Sequence, residues 1–379
     1  MNGTSSEKNK KNRNKRLLRL LCVFCLLVLG AVAGCVVMFI RSLPNRAQTV
    51  SNVQTHEVEL GIPPVSSDTA KNVILMIGDG MGAEQVWVAW MCNRGKLNLE
   101  KLPVIGFSRT VSASSDITDS AAGGTAIACG QKVHNGVLGI NPQQRKLTSV
   151  MRCLQAAGKS TGFVVTKAVT DATPAAFYAH CPDRNQTEPI VKDLMNCGCS
   201  VIMGGGTGIV PAEGVALLRE KGALVRLEGE KHCAPASERG HFLEESVSQA
   251  LQTLEKNPKG FFLMIEGSQI DTAGHARNLA ELVQEVLDFD RTLGVVLRWM
   301  QKNPDTLLVV TADHQTGGLS LLGGNRQKGE VVAAFSTKRH SGVAVPIYAA
   351  GAGAAAFGCI QENTEFKKKI LNACGLLQE

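Results

Sequence analysis

The first forty residues consist of a basic segment followed by an apolar one. Residues 1–19 carry seven Lys and Arg side chains against one Glu, and the 21 residues from 20 to 40 carry no charge. An apolar helix of that length crosses the hydrocarbon core of a membrane, which is about 30 Å thick. Since positive flanking residues stay in the cytoplasm, we expect a basic cytoplasmic N-terminus, 1–19, and a transmembrane signal anchor or signal sequence, 20–40.

Two other interpretations of this segment stay open. It is a cleaved signal peptide in one of them, although the apolar run exceeds the usual length of about 7–15 residues. In the other, the sequence VAGC, residues 32–35, resembles a bacterial lipoprotein cleavage site and leaves Cys35 lipidated. All three interpretations export the rest of the chain to the periplasmic or extracellular side, and two of them tether it to the membrane.

Beyond the apolar run the pattern changes twice. Residues 41–70 are polar and contain Pro, which is typical of a stalk or linker. From residue 71 onward, short apolar runs alternate with segments of helical periodicity. The pattern predicts strands at Asn72–Ile77, Gly162–Thr166, Val201–Met203, Phe261–Ile265, Thr306–Val310 and Val345–Tyr348, and helices that include Phe242–Glu255 and Leu279–Lys302.

These predicted strands are almost entirely apolar. Strands of a parallel sheet show that pattern when helices cover both of its faces. We therefore expect one α/β domain over residues 71–379, doubly wound, with a mostly parallel central sheet flanked by helices and with the transmembrane helix before it.

The charge distribution and the cysteine spacing argue against nucleic-acid binding and against a cysteine zinc site. The net charge is +7, but nine of the 40 Lys and Arg residues and one of the 33 acids precede residue 47. The remainder carries 31 basic and 32 acidic residues, so the pattern indicates no nucleic-acid partner. The 12 cysteines lack a paired CxxC spacing, which makes a cysteine zinc site improbable.

Polar side chains recur where the predicted strands end. These residues are Asp79, Asp171 with Thr173, Glu266 with Asp271, and Asp313 with His314. A turn or a helix cap explains Asp79, Asp171 or Asp313 alone, whereas an unpaired Glu266 at a buried strand end would be costly. Because open α/β sheets bind ligands beyond the carboxyl ends of their strands, the residues are expected to meet at one rim. So many carboxylates would repel one another there, which predicts bound cations.

The ligand types indicate which cations bind. Asp271 and His275 lie four residues apart, one helical turn on the same face. Asp313 and His314 are adjacent, and KRHSG supplies His340. Imidazole with carboxylate suits Zn²⁺. The ligands Asp79, Thr173 and Glu266 offer only oxygen, which suits Mg²⁺.

The segment ITDSAAGGTAIACG, residues 117–130, places an acid beside a hydroxyl, Asp119 and Ser120, before a run of small residues. Ser120 is either a helix cap or a nucleophile. The next histidine is His134, so a nucleophilic Ser120 would depend on a metal ion for activation.

Five ordered segments of the chain resemble those of alkaline phosphatases. They are ITDSAAGGT, DATPAAFYAHCPDR, EGSQIDTAGHARN, TADHQTGGLSL and HSGVAVPIYAAGAGA. The resemblance implies hydrolysis of phosphate monoesters through a covalent phosphoserine on Ser120, with two Zn²⁺ and one Mg²⁺. It assigns Asp271, His275 and His340 to one zinc ion, Asp79, Asp313 and His314 to the other, and Asp79, Thr173 and Glu266 to magnesium. Arg184 would bind the substrate phosphate, with Asp119 and Asp171 beside it.

The sequence departs from this family at two places. Many relatives carry a larger residue directly after the aspartate that corresponds to Asp271, whereas this chain has Thr272. The segment between His314 and His340 is also short, which leaves a homodimer possible but unspecified. Two alternative functions remain: a related metal-dependent phosphodiesterase and a catalytically silent, membrane-tethered phosphate-binding protein.

Overall fold

The computed structural model describes residues 4–42, 47–58, 61, 65 and 67–377. It separates into two compact units, Met1–Arg46 and Ala47–Glu379. The first unit is helix α1, Thr4–Ser42. Within the described residues, one stretch of α1, Lys15–Ala33, has the length and hydropathy of a membrane span, features that it shares with a signal sequence. The side chain of Cys35 lies outside the described residues.

The second unit alternates strands and helices. Its strands are β1 Gln48–Val50, β2 Asn72–Gly78, β3 Val104–Arg109, β4 Ser160–Ala168, β5 Val201–Gly205, β6 Leu224–Glu228, β7 Phe261–Gly267, β8 Thr306–Thr311, β9 Gln315–Thr316, β10 Leu319–Asn325, β11 Glu330–Phe335, β12 His340–Ser341, β13 Val345–Gly351 and β14 Ile360–Glu362. Its helices are α2 Ala83–Cys92, α3 Ser120–Cys129, α4 Val150–Ala156, α5 Ala172–Tyr178, α6 Thr187–Leu194, α7 Ala212–Glu220, α8 Phe242–Leu254, α9 Gln269–Ala276, α10 Leu279–Met300 and α11 Glu365–Ala373.

The central sheet has nine strands in the order β14-β3-β13-β8-β2-β7-β4-β5-β6. All seven residues of β2 and of β7 are buried, because helices cover both faces of the sheet. The α/β fold is as predicted, but the sheet is mixed: β13 runs antiparallel to both of its neighbours, β3 and β8.

Each of the six strands that the sequence predicts exists. Three strands of the central sheet were missed. Along β3, buried residues alternate with more exposed ones. Strand β6 is an edge strand with charged residues, and β14 has only three residues. Their patterns lack the continuous apolar run that marks a strand with both faces covered.

The linker predicted for residues 41–70 is too long. Strand β1 pairs antiparallel with β11 in a separate three-stranded sheet. The amide of Gln48 donates to the carbonyl of Arg277 at 2.7 Å, and Nε2 of His56 lies 2.7 Å from Oδ2 of the buried Asp290. Hydrogen bonds therefore hold residues of the segment 47–58, which belongs to the second unit. The polar sequence of the segment gives no sign of these contacts.

The parallel strands β8, β2, β7 and β4 are neighbours, so their carboxyl ends form one rim. Asp313, Asp79 and Asp171 follow β8, β2 and β4, and Glu266 is the last residue but one of β7, so the acids lie at these strand ends as the sequence predicts. His340 reaches the same rim differently. It precedes the antiparallel strand β13 and pairs with Thr316 through the short ladder of β12 with β9.

Candidate active site

Ser120 is the first residue of helix α3, whose N-cap is Asp119. The Asp119 carboxylate accepts hydrogen bonds from the backbone N–H groups of Ala122 at 3.0 Å and Gly136 at 2.9 Å, which fix the start of the helix. The small residues that follow let α3 approach the sheet. A Cβ on Gly123 would lie 3.0 Å from the carbonyl oxygen of Asp313. Ser120 is thus both a helix-starting residue and part of the rim.

The Ser120 side chain contacts a buried set of three residues, Asp79, Asp313 and His314, which we call the serine-side cluster. Its hydroxyl oxygen lies 3.2 Å from Nε2 of His314. The same nitrogen lies 3.3 Å from Oδ2 of Asp313 and 3.5 Å from Oδ1 of Asp79. One potential ligand atom from each member lies within 4.8 Å of the others, close enough to share one ion.

Two carboxylate oxygens of this cluster, Oδ1 of Asp79 and Oδ2 of Asp313, are buried and accept no hydrogen bond from the described residues. Burial and then the charges of Asp313 and Asp271 raise the pKa of Asp79 to about 8. Burial and then the nearby His340 lower the pKa of His314 to about 3. A buried oxygen without a partner is unfavourable, so these atoms are suited to face a cation.

A second set, Asp271, His275 and His340, forms the outer cluster. Oδ1 of Asp271 lies 3.1 Å from Nε2 of His275 and 3.6 Å from Nε2 of His340. The two Nε2 atoms face each other at 3.1 Å. Burial lowers the pKa of His340, but the hydrogen bond to Asp271 and its charge outweigh burial and raise the value to about 9.

The opposite nitrogens of both outer imidazoles bond to the backbone. Nδ1 of His275 lies 2.6 Å from the carbonyl of Lys338, and Nδ1 of His340 lies 2.8 Å from the carbonyl of Thr118. A carbonyl only accepts, so each Nδ1 donates its hydrogen, and a neutral ring then keeps a lone pair on Nε2. That arrangement orients metal-binding histidines in proteins. The Thr316 hydroxyl donates to Oδ1 of Asp271 at 2.7 Å and supports the same cluster.

The residues of both clusters fit zinc. Each offers imidazole nitrogen with carboxylate oxygen, the ligand types that zinc prefers. The unsatisfied oxygens of Asp79 and Asp313 and the converging Nε2 atoms of His275 and His340 support this fit.

The third set that the sequence predicts consists of Asp79, Thr173 and Glu266. Glu266 and Thr173 are each about 1% exposed, at the end of β7 and in the first turn of α5. Burial, followed by the charges of Asp79 and Asp171, holds the pKa of Glu266 well above its usual range, and its Oε2 accepts no hydrogen bond from the described residues. Asp79 and Glu266 of this set interact electrostatically, but Asp79 also contacts a cation of the chain itself.

That cation is Lys167, in the final residues of β4. Its Nζ lies 3.0 Å from Oδ2 of Asp271 and 3.4 Å from Oδ2 of Asp79. Burial lowers the pKa of Lys167, but Asp79 and Asp271 outweigh burial and raise it well above the usual value, so the side chain is an ammonium ion. The sequence analysis missed this residue. Its one signal is a Lys within the apolar run GFVVTKAV.

Arg184 lies in the loop before α6 and contacts Asp119, the residue before Ser120. Its Nη1 lies 3.3 Å from Oδ2 of Asp119, and its Nη2 lies 3.1 Å from Oδ1 of Asp171. The guanidinium is partly exposed, with 24% of its side-chain surface accessible. The two carboxylates orient the guanidinium, and its accessible surface leaves it able to meet a substrate anion.

Thr272, where the chain departs from many relatives, is exposed on α9 next to Asp271. The structure therefore brings Ser120, Asp119, Asp171, Arg184 and both proposed zinc-binding clusters to one rim.

Comparison with known proteins identifies the family of the chain. The family model for alkaline phosphatase matches residues 70–216 and 215–334. Alkaline phosphatase 4 of Bacillus subtilis is 34% identical over 295 residues, which cover 68% of this chain and 64% of that protein. The repressible alkaline phosphatase of Saccharomyces cerevisiae is 33% identical over 321 residues, which cover 67% of this chain and 56% of that protein. The chain thus spans less than two thirds of the length of these relatives.

Solved structures show the same relationship. The alkaline phosphatase of the Antarctic bacterium TAB5 is 33% identical, with a TM-score of 0.77, and the match covers 82% of this chain and all of that one. A cold-active alkaline phosphatase from Shewanella is 27% identical, with a TM-score of 0.75, and the match covers 81% of this chain and all of that one. Family model, sequence identity and fold agree, and the chain belongs to the alkaline phosphatase family.

Proposed function

We propose that this protein hydrolyses phosphate monoesters through a phosphoserine on Ser120, at a site that holds two zinc ions. The observation that carries the proposal is the position of the Ser120 hydroxyl. It lies 3.2 Å from a proposed zinc-binding nitrogen, in the serine-side cluster, where two buried carboxylate oxygens accept no hydrogen bond from the described residues. The family membership supports the choice of phosphate monoesters as substrates.

Zinc ions bound to the two clusters would supply positive charge that favours an ionised serine and a departing oxygen. The chain's own residues supply position. Ser120 lies at the N-terminus of α3, where the helix dipole favours an anion. Arg184, oriented by Asp119 and Asp171, would contact two phosphoryl oxygens with its two terminal nitrogens.

The reaction would proceed in two displacements. In the first, Ser120 gives its hydroxyl proton to water and its oxygen forms a bond to phosphorus, while the bond to the leaving alcohol oxygen breaks and that oxygen takes a proton from water. In the second, a water oxygen forms a bond to phosphorus, the bond between phosphorus and the serine oxygen breaks, a proton of that water passes to the serine oxygen, and inorganic phosphate leaves. The contact of Arg184 with Asp119, the residue before Ser120, supports the action of both residues on one phosphoryl group.

The resemblance also assigns a Mg²⁺ to Asp79, Thr173 and Glu266. A solved neighbour, a TAB5 alkaline phosphatase mutant, is described as having Mg bound in its M3 site. In this chain Oδ2 of Asp79 already lies against the Lys167 ammonium. The residues therefore do not fit a third metal ion as well as they fit two zinc ions, and the proposed function depends on zinc alone.

For cellular location we propose a membrane-tethered enzyme with its catalytic unit exported. The span in α1, with basic residues before it, supports this topology. The proposed domains are a basic cytoplasmic segment, 1–19, a membrane-spanning segment, 20–40, and a catalytic domain. The catalytic domain begins at Ala47, where the second compact unit starts, rather than at residue 71.

The test compares phosphate monoester and diester turnover by the full chain in detergent, with and without a chelator. Monoester turnover is expected to disappear on chelation and to return with zinc. Ser120→Ala should remove it, whereas Ser115→Ala, which removes an exposed serine of the preceding loop, should keep it.

Two outcomes would favour the alternative functions. Preferential diester turnover that survives Ser120→Ala would indicate a phosphodiesterase. Phosphate binding without turnover of any ester by the zinc-loaded protein would indicate a silent phosphate-binding protein.

A further inference from the structure

Lys167 connects the two clusters. Its ammonium contacts one carboxylate of the serine-side cluster, Asp79, and one of the outer cluster, Asp271, each through the Oδ2 atom. The side chain is only 10% exposed. A buried ammonium requires compensating negative charge, so these contacts are the reason that this strand end tolerates a lysine.

Two further acids lie around the same ammonium. Burial raises the pKa of Asp171, but Lys167 and then Arg184 outweigh burial and hold it below its usual value. Burial and the charges of Asp79 and Asp171 raise the pKa of Glu266, whereas Lys167 lowers it. Val165, two residues before Lys167, pairs with Glu266 between β4 and β7. Lys167 therefore lies within electrostatic range of four carboxyl groups of the rim.

The two oxygens of Asp79 differ in their surroundings. Oδ1 lies 3.5 Å from Nε2 of His314 and accepts no hydrogen bond from the described residues, so it remains able to bind an ion of the serine-side cluster. Oδ2 already bonds to Lys167. A divalent ion on Oδ2 would have to share that oxygen with an ammonium a few Å away, and the two positive charges would repel each other.

We propose that the Lys167 ammonium takes the place of a third metal ion, so that this enzyme holds two zinc ions and no magnesium. This inference rests on the proposed function in one respect, the presence of two zinc ions in the two clusters. Its test measures bound magnesium, which does not depend on turnover. Lys167 supplies one positive charge and three N–H donors to the carboxylates that magnesium would otherwise neutralise.

The experiment measures the metal content of the full chain and titrates MgCl₂ into the zinc-loaded protein by calorimetry. Wild type is expected to contain two zinc ions and to bind no magnesium. Lys167→Ala and the longer Lys167→Met should each gain one magnesium site. Their magnesium affinity should exceed that of wild type by roughly a hundredfold or more, because a positive charge next to a divalent ion has been removed.

Lys159→Ala is the matched control. Lys159 precedes the other end of β4, and its exposed ammonium donates to the carbonyls of Lys71 and Lys259. This variant loses the same charge and should bind no magnesium. Circular dichroism shows whether each variant is folded, and Lys167→Met serves if the alanine variant is not.

Stoichiometric magnesium in wild type overturns the proposal, and so does a failure of both folded Lys167 variants to gain magnesium. These outcomes are distinct from a failure of the proposed function. That failure would appear as zinc-loaded wild type that hydrolyses no monoester, whatever its magnesium content.

Discussion

Removal of metal ions should make the folding stability of this protein fall as the pH rises. In the folded, metal-free protein, burial and the charges of Asp313 and Asp271 raise the pKa of Asp79 from 3.8 to about 8. In the unfolded chain the carboxyl returns to its ordinary value. Between these two values the folded state binds one proton more than the unfolded state. The stability that this proton contributes is present at low pH and is lost as the pH rises through 8.

His340 acts in the same direction. Burial opposes the shift, but the contact with Asp271 raises the pKa of His340 from 6.5 to about 9. Its contribution is fully present below pH 6.5 and is lost as the pH rises through 9. Each extra proton lowers the free energy of unfolding by about 1.4 kcal/mol per pH unit. Integrated from pH 7 to 8.5, the two groups give a fall of about 3 kcal/mol.

The assay is urea unfolding of the chelated full chain, followed by tryptophan fluorescence, at pH 7 and 8.5. Asp79→Asn serves as the control. It removes the carboxyl group whose pKa is raised, so the fall in the free energy of unfolding between pH 7 and 8.5 should be smaller by about 1.2 kcal/mol. With zinc bound the trend should vanish or reverse, since metal binding requires unprotonated ligands. A metal-free protein whose stability stays constant or rises between these pH values would refute the reasoning, as would an equal fall in Asp79→Asn.

Three further substitutions test other contacts. Arg184→Ala should lower kcat/KM for phosphate monoesters by roughly ten- to a hundredfold, because charge-assisted hydrogen bonds to the phosphate are lost. Arg184→Lys should restore only part of this activity. Equal kcat/KM in wild type and both variants would contradict phosphate binding by Arg184. Gly123→Ala should weaken zinc binding, because the added Cβ would lie 3.0 Å from the Asp313 carbonyl, whereas Gly323→Ala meets no atom within 4 Å and should leave zinc titrations unchanged. Asp290→Ala should lower the free energy of unfolding by about 3 kcal/mol in denaturant melts. The reason is that Asp290 accepts hydrogen bonds from His56 and from two backbone N–H groups. An unchanged denaturant midpoint would contradict this stabilising role of Asp290.

The sequence alone predicted the parallel part of the fold and the rim. Asp79, Glu266 and Asp313 each follow an apolar run that is buried on both faces, and the carboxyl ends of parallel strands meet at one edge. The acids are therefore expected at one edge whatever the order of the strands.

The remaining features depend on contacts between distant segments. The pattern around Val345–Gly351 shows a buried strand but not its antiparallel direction, which brings the preceding His340 to the rim. The polar segment at Gln48 gives no sign that it pairs with β11. The position of Lys167 is clear only once Asp79 and Asp271 are known to lie on either side of it.

The central claim is that Ser120 carries the phosphoryl group during turnover. The most direct measurement is acid quenching of the zinc-loaded full chain during hydrolysis of a phosphate monoester, followed by mass spectrometry of its peptides. The account predicts one phosphoryl group on the peptide that contains Ser120, absent from chelated protein and from Ser120→Ala. Sustained monoester turnover by Ser120→Ala would contradict it.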